Sequence, residues 1–205
     1  AAAGVNAIWG DGGFETTRFA GFATVTLRGG DGAETINLGP GLGLDLDSAA
    51  GSPTTYNLTG DNTTGTDNSA DVINIDEVPA GVTVNAFGGG GADTINVGGP
   101  SLLLDQIVGP VNVDGGAGVD VLQLSDFNDT DANNYVVTPT SVTRTNTGPA
   151  VPQVNYTTTE TVRLQGGQGA DKFVAQPSAA TNYEFDGQHQ NNVGPGPSGA
   201  PYGSI

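Results

Sequence analysis

Cysteine is absent from this 205-residue chain, which removes both disulfides and zinc–thiolate sites. Methionine is absent too. Without an initiator Met the sequence reads as a processed secreted product or as a piece of a longer chain. Ala1-Ala2-Ala3 would suit a start after a small-residue cleavage site. Bases are scarce: Arg18, Arg28, Arg144, Arg163 and Lys172 stand against 22 acids. The net charge of -17 repels nucleic acid and anionic membrane, so both are excluded as partners. No apolar run reaches the ~18 residues that a membrane span needs, so no membrane insertion is expected. A sustained i, i+3, i+4 apolar pattern is also missing, apart from one candidate turn at Leu102–Asp105. Aromatics are only 6% of the chain. A thin core of Val, Ile, Leu, Ala and Thr, which are strand formers, fits that better than a thick one.

Glycine and period-two alternation fill the space. Glycine accounts for 34 residues, and one glycine turn recurs: Gly29-Gly30-Asp31-Gly32-Ala33-Glu34, Gly88-Gly89-Gly90-Gly91-Ala92-Asp93, Gly115-Gly116-Ala117-Gly118-Val119-Asp120 and Gly166-Gly167-Gln168-Gly169-Ala170-Asp171. Its glycines let the backbone reverse with φ > 0, and its acid sets a carboxylate at a fixed point of each reversal. Alternating runs flank every copy. Before them stand Thr24–Leu27, Val82–Asn85, Val111–Val113 and Thr161–Leu164; after them stand Thr35–Leu38, Thr94–Val97, Val121–Leu124 and Lys172–Ala175. Alternation predicts strands with one buried face. A degenerate copy runs from Tyr56-Asn57-Leu58 through a longer loop to Ala70-Asp71 and Val72–Ile75. Tyr135–Thr138, Ser141–Thr145 and Val154–Thr157 add three strands, and Tyr183-Glu184-Phe185 is the last.

Two all-β architectures fit strands at this density: a parallel β-helix or β-solenoid, and a β-sandwich. A repeated turn favours the β-solenoid, where an identical turn suits an identical position on successive coils. The glycine turns begin at residues 29, 88, 115 and 166, intervals that match one or two coils of ~25–30 residues with insertions. The chain then divides into an N-terminal arm or first coil over 1–20, the β-solenoid over 21–187 and a Gly/Pro-rich C-terminal arm over 188–205. Trp9 and Tyr202, near opposite ends, suit either packing or subunit contacts.

Written as Gly-Gly-x-Gly-x-Asp-x-apolar-x, the turns resemble the nonapeptide of the repeats-in-toxin (hemolysin-type) calcium-binding family, with Ile36, Ile95, Leu122 and Phe173 at the apolar position. That resemblance implies calcium (Ca2+) as a cofactor. Its side-chain ligands would be Glu34, Asp93, Asp120 and Asp171, with Asp31 and Asp114 as neighbours. Here the copies are isolated, not in tandem. A longer stretch, Tyr135 through Ser178, resembles the glycine/aspartate-rich repeat modules of large secreted bacterial surface proteins. This implies an extracellular, structural or adhesive role and no enzyme.

A second calcium candidate comes from the residues themselves. Asp126, Asp129, Asp131 and Asn133 fall within eight positions, and Asp129-x-Asp131-x-Asn133 has the opening spacing of a calcium loop. Asp61, Asp67, Asn68 and Asp71 form a looser cluster. Catalytic motifs are lacking: the single His189 lies in the Gly/Pro tail, and Arg144 and Arg163 have no acid cluster near them in sequence. The expected function is a secreted, cell-surface structural protein that self-assembles into a filament, sheath or surface layer, with calcium as a stiffener. The alternatives are a calcium-binding adhesin within a longer surface protein, meeting a carbohydrate or cell-surface partner, and a carbohydrate-active β-helix.

Overall fold

A computed structural model of the chain describes residues 6–8, 17–19, 22–39, 44–45, 54–61, 67–145, 151–176 and 178–187. Trp9, Tyr202, the 188–205 arm and most of the 1–20 segment lie outside these residues. Among them the fold is all-β, with no α-helix. The expected turn near Leu102 is a 3-10 turn at Leu104–Gln106.

Five strand pairs carry the repeat. They are β3 (Thr24–Arg28) and β4 (Thr35–Leu38), β6 (Thr55–Thr59) and β7 (Val72–Ile75), β8 (Thr83–Gly91) and β9 (Thr94–Val97), β10 (Val111–Gly118) and β11 (Val121–Ser125), and β14 (Val151–Thr157) and β15 (Thr161–Gln165). The first strand of each pair joins an eight-stranded sheet and the second a nine-stranded one. Successive pairs add parallel and in register, so Ile36, Ile73 and Ile95 align across one sheet and Tyr56, Val84 and Val111 across the other. The inward rows of both sheets make one core, in which Tyr56, Leu58, Ile75, Val84, Ile95, Val97, Leu122 and Val162 have no exposed surface. Burying each such side chain contributes ~1.5–3 kcal/mol.

Five strands and a final pair complete the sheets. In the nine-stranded sheet β5 (Leu44–Asp45), β1 (Asn6–Ile8) and β2 (Thr17–Phe19) follow β4 outward. In the eight-stranded sheet a hairpin of β12 (Asn134–Thr138) and β13 (Ser141–Thr145) lies beyond β14. Last come β16 (Lys172–Ala175), parallel to β12, and β17 (Asn182–Asp186), parallel to β15. Among the described residues antiparallel pairing, the habit of an ordinary sandwich, is confined to β1 with β2 and β5 and to the β12–β13–β14 run.

Outward rows carry amides. Asn74 Nδ2 donates to Asn37 Oδ1 and Asn96 Nδ2 to Asn74 Oδ1, both at 2.7 Å. On the other sheet Asn155 donates to Asn112, Asn112 to Asn85 and Asn85 to Asn57. In-register parallel strands stack identical side chains ~4.8 Å apart, which suits an amide that both donates and accepts.

The glycine turns do not all fall at one corner. Gly29–Glu34, Gly88–Asp93 and Gly115–Asp120 connect the eight-stranded sheet to the nine-stranded one. Gly166–Asp171 joins β15 to β16 and runs the opposite way. The uneven intervals follow. A degenerate unit (β6–β7) sits inside the first interval, and the last one contains the β12–β13 hairpin and a glycine-free turn at Thr157–Glu160.

Candidate functional site

At the shared corner, one acid directly precedes each of five strands of the nine-stranded sheet, β4, β7, β9, β11 and β15. Glu34, Asp71, Asp93, Asp120 and Glu160 form a column, the first four each fixed by the acid of the unit after it. The Glu34 N–H donates to Asp71 Oδ1, Asp71 N–H to Asp93 Oδ1, Asp93 N–H to Asp120 Oδ1 and Asp120 N–H to Glu160 Oε2, at 2.8–2.9 Å. Asp71, Asp93 and Asp120 are buried. Their second oxygens, with Glu34 Oε2, have no hydrogen-bond partner. Burial pushes Asp93 up to about 6, against the lowering effect of the Asp71 N–H, and the neighbouring carboxylates of Asp120 and Asp71 add to the rise. Asp71 and Asp120 move up for the same leading reason.

The glycines serve two different needs here. Gly89 (φ +111°), Gly91 (+126°), Gly116 (+99°) and Gly118 (+146°) take the left-handed backbone expected of a reversal. The first glycine of each turn does not. A Cβ on Gly88 would lie 2.3 Å from the Gly115 carbonyl oxygen and 2.5 Å from Asp93 Oδ2; one on Gly115 would lie 2.1 Å from the Thr158 carbonyl oxygen. Those positions are held open for the next unit's backbone and for the turn's own carboxylate. The turns at 88–91 and 115–118 therefore stack in register, Gly89 on Gly116 and Gly91 on Gly118. In the glycine-free unit, Thr158 takes the positive φ (+43°) and its hydroxyl accepts the Gly116 N–H at 3.1 Å.

The structure distributes the sequence-predicted ligands over two corners. Glu34, Asp93 and Asp120 share the acid column. Asp31 is exposed at its turn, and Asp114 is half-buried and accepts the Thr158 hydroxyl. Asp61 and Asp67 lie buried beside the column, with Asp61 Oδ1 accepting from the Gly90 N–H and Asp67 Oδ1 from the Ser69 N–H. Asp171 belongs to the opposite corner, where Asp171 Oδ1 accepts the Asn133 N–H at 2.9 Å. Asp126, Asp129, Asp131 and Asn133 are its neighbours, so the nonapeptide acid of the fourth turn and the 126–133 loop come together.

That corner is organised by Arg144, which is 2% exposed. Its guanidinium binds Asp126, Asp129 (3.0 Å) and Asp105. Tyr135 donates its hydroxyl to Asp126 Oδ2, and Asn133 Nδ2 donates to Asp129 Oδ2, both at 2.7 Å. Burial alone would lower the Arg144 pKa, but the hydrogen bonds to Asp105 and Asp126 override it and the net direction is up. Sequence reading found no acid cluster beside Arg144 because Asp105, Asp126 and Asp129 lie 39, 18 and 15 positions away. The available signal was alternation: Val142 and Arg144 share a face of β13, and Val142 is buried. Glu160 was missed in the column, although the order acid-x-apolar before a strand recurs at Glu34, Asp71, Asp93, Asp120 and Glu160.

Calcium takes six to eight oxygens. Among the described residues no group of three or more His, Cys, Asp or Glu is placed to hold a metal ion. In the column one oxygen each of Asp71, Asp93, Asp120 and Glu160 is taken by an amide. In the Asp126–Asn133 loop the cation present is a guanidinium. Comparison with protein-family models, with curated proteins and with solved structures gives no match.

Proposed function

We propose that this chain is an extracellular structural module, a parallel β-solenoid that assembles with copies of itself into a filament, sheath or surface layer. The observation that carries this reading is the pair of open ends. Among the described residues β16 and β17 are the last strands of their sheets at one end, and β3 and β2 at the other. The inward residues Phe173, Tyr183 and Phe185 are only partly buried at the first end. Unpaired strand edges are templates for pairing with another chain, and stacked units need an end cap or a neighbour. The surroundings support a scaffold: every unit is tied to the next by carboxylate–amide and amide–amide ladders, which give axial stiffness. Sedimentation of the purified chain over a wide concentration range tests it. A monodisperse monomer at high concentration, with and without calcium, refutes it.

One observation favours a second reading, a calcium-stiffened adhesin or binding module. The turns at 88–91 and 115–118 stack in register, and Asp93 Oδ2 and Asp120 Oδ2 are buried without a donor. A ligand bound only by the folded state raises the melting temperature by mass action. Millimolar calcium raising the midpoint supports this reading, and no shift after exhaustive chelation removes it.

A further inference from the structure

We infer that copies join head to tail, with β16 and β17 of one chain pairing parallel with β3 and β2 of the next; this rests on the self-assembly reading above. The two sheets end unevenly, and unevenly in opposite senses. Beyond the β14–β15 pair the eight-stranded sheet adds β13, β12 and β16, whereas the nine-stranded sheet adds only β17. Beyond the β3–β4 pair the nine-stranded sheet adds β5, β1 and β2 and the eight-stranded sheet adds nothing. One end therefore projects on one side and the other end on the other side. Set end to end, the junction holds β13, β12 and β16 in one sheet against β17, β2, β1 and β5 in the other. The sheets then differ by one strand, about 4.8 Å.

Strand direction agrees in both sheets. β17 is parallel to β15, and β15 runs through β11, β9 and β7 to β4, all parallel. β5 is parallel to β4, β1 is antiparallel to β5, and β2 is antiparallel to β1, so β2 runs with β17. Two reversals at the β12–β13 hairpin likewise leave β16 running with β3. A translated copy thus meets parallel edges at both junctions and continues the ladder already present. Tail-to-tail contact would instead pair strands antiparallel and leave β2 and β3 bare.

Backbone donors face the junction. Lys172 N–H donates to the Asn133 carbonyl and Gln176 N–H to the Val137 carbonyl, so the alternate residues of β16, Phe173 and Ala175, turn theirs to the open side. Gly29 N–H donates to the Thr59 carbonyl, and the Ala23 carbonyl accepts from Thr54. Thr24, Thr26 and Arg28 of β3 therefore face outward. A heterologous contact whose rotation does not close builds an open filament.

The test uses two proline variants of the full chain. Ala175→Pro blocks the tail edge and Thr24→Pro the head edge, each at an exposed residue whose N–H makes no bond within its sheet. Ala175→Lys and Thr24→Lys serve as second variants, and melting within a few degrees of the parent establishes folding. The expected result is that the parent grows beyond dimers and each variant alone stays at the 20.4 kDa of one chain. An equimolar mixture should stop at complexes of two chains. Dimers of the Thr24→Pro chain alone mean tail-to-tail contact and overturn the inference. Variants that still polymerise also overturn it, and leave self-assembly standing through another surface. A full chain that is single but assembles once residues 188–205 are deleted assigns the end to its own tail, again overturning it. A parent chain that is single in both forms removes the self-assembly reading itself.

Discussion

Replacing Gly88 by Ala tests whether the first glycine of each turn is there for space or for backbone freedom. Its φ is not in the left-handed region, so Ala brings no backbone strain of that kind. Its Cβ, however, would stand 2.3 Å from the Gly115 carbonyl oxygen and 2.5 Å from Asp93 Oδ2. Ordinary contacts there exceed ~3.0 Å, so the two units must part by ~0.7 Å or Asp93 must leave. Overpacking of a tight interior costs ~1–3 kcal/mol, and losing the Asp93 carboxylate as acceptor for the Asp71 N–H adds ~1 kcal/mol. The expected loss is about 3 kcal/mol, or ~6–12 °C in melting midpoint for a domain of this size. Gly81→Ala is the control. Gly81 has φ +82° and nothing within 4 Å of a Cβ, so it pays only backbone strain, about 1 kcal/mol and ~2–4 °C. Calorimetry of the two variants at neutral pH decides. A Gly88→Ala midpoint at or above that of Gly81→Ala refutes the close-approach argument.

Acidification should stabilise the fold. The folded pKa of Asp93 is raised to about 6 from 3.8, and those of Asp71 and Asp120 are raised too. The folded state then binds more protons than the unfolded state between about pH 4 and 6, so stability rises as pH falls through that window; a melting midpoint that drops from pH 7 to pH 5 contradicts it. Arg144→Met leaves Asp126 and Asp129 buried without their cation and should cost ~3–5 kcal/mol, measured by denaturant unfolding, with Asp126→Asn in the same chain restoring part of the loss. Asn85→Asp removes a donor from an amide that both gives and receives in its ladder, and should cost ~1–2 kcal/mol. Asn37→Asp, which enters its ladder as an acceptor from Asn74, should cost less than half as much; equal losses in thermal melts would deny the ladder its directionality.

Much of the fold was legible because parallel in-register strands leave a local signature. Alternation located Thr35–Leu38, Val72–Ile75, Thr94–Val97 and Lys172–Ala175 at their observed bounds. Repeated turn chemistry pointed to stacking. What sequence did not carry was the corner each turn occupies. Gly166–Asp171 reads like its three counterparts because any reversal with a carboxylate tucked under a glycine needs those residues, whichever sheet it leaves. The reading of the glycines was half right for the same reason: φ > 0 explains Gly89 and Gly116, while Gly88 and Gly115 answer to a neighbouring unit invisible in a local window. The Arg144 cluster was hidden because its acids come from Asp105, Asp126 and Asp129, on segments that only the hairpin insertion brings together.

The acid column also has a temporal meaning. The amide of Glu34 is capped by Asp71, that of Asp71 by Asp93, that of Asp93 by Asp120 and that of Asp120 by Glu160. Every cap comes from residues synthesised later. A chain leaving the ribosome N-terminus first therefore carries, at each stage, one finished turn whose amide still waits for its acceptor. The growing edge is always one carboxylate short, and each new unit completes the one before it. The column thus has one polarity, and loss of any acid leaves the amide of the turn upstream of it without its acceptor.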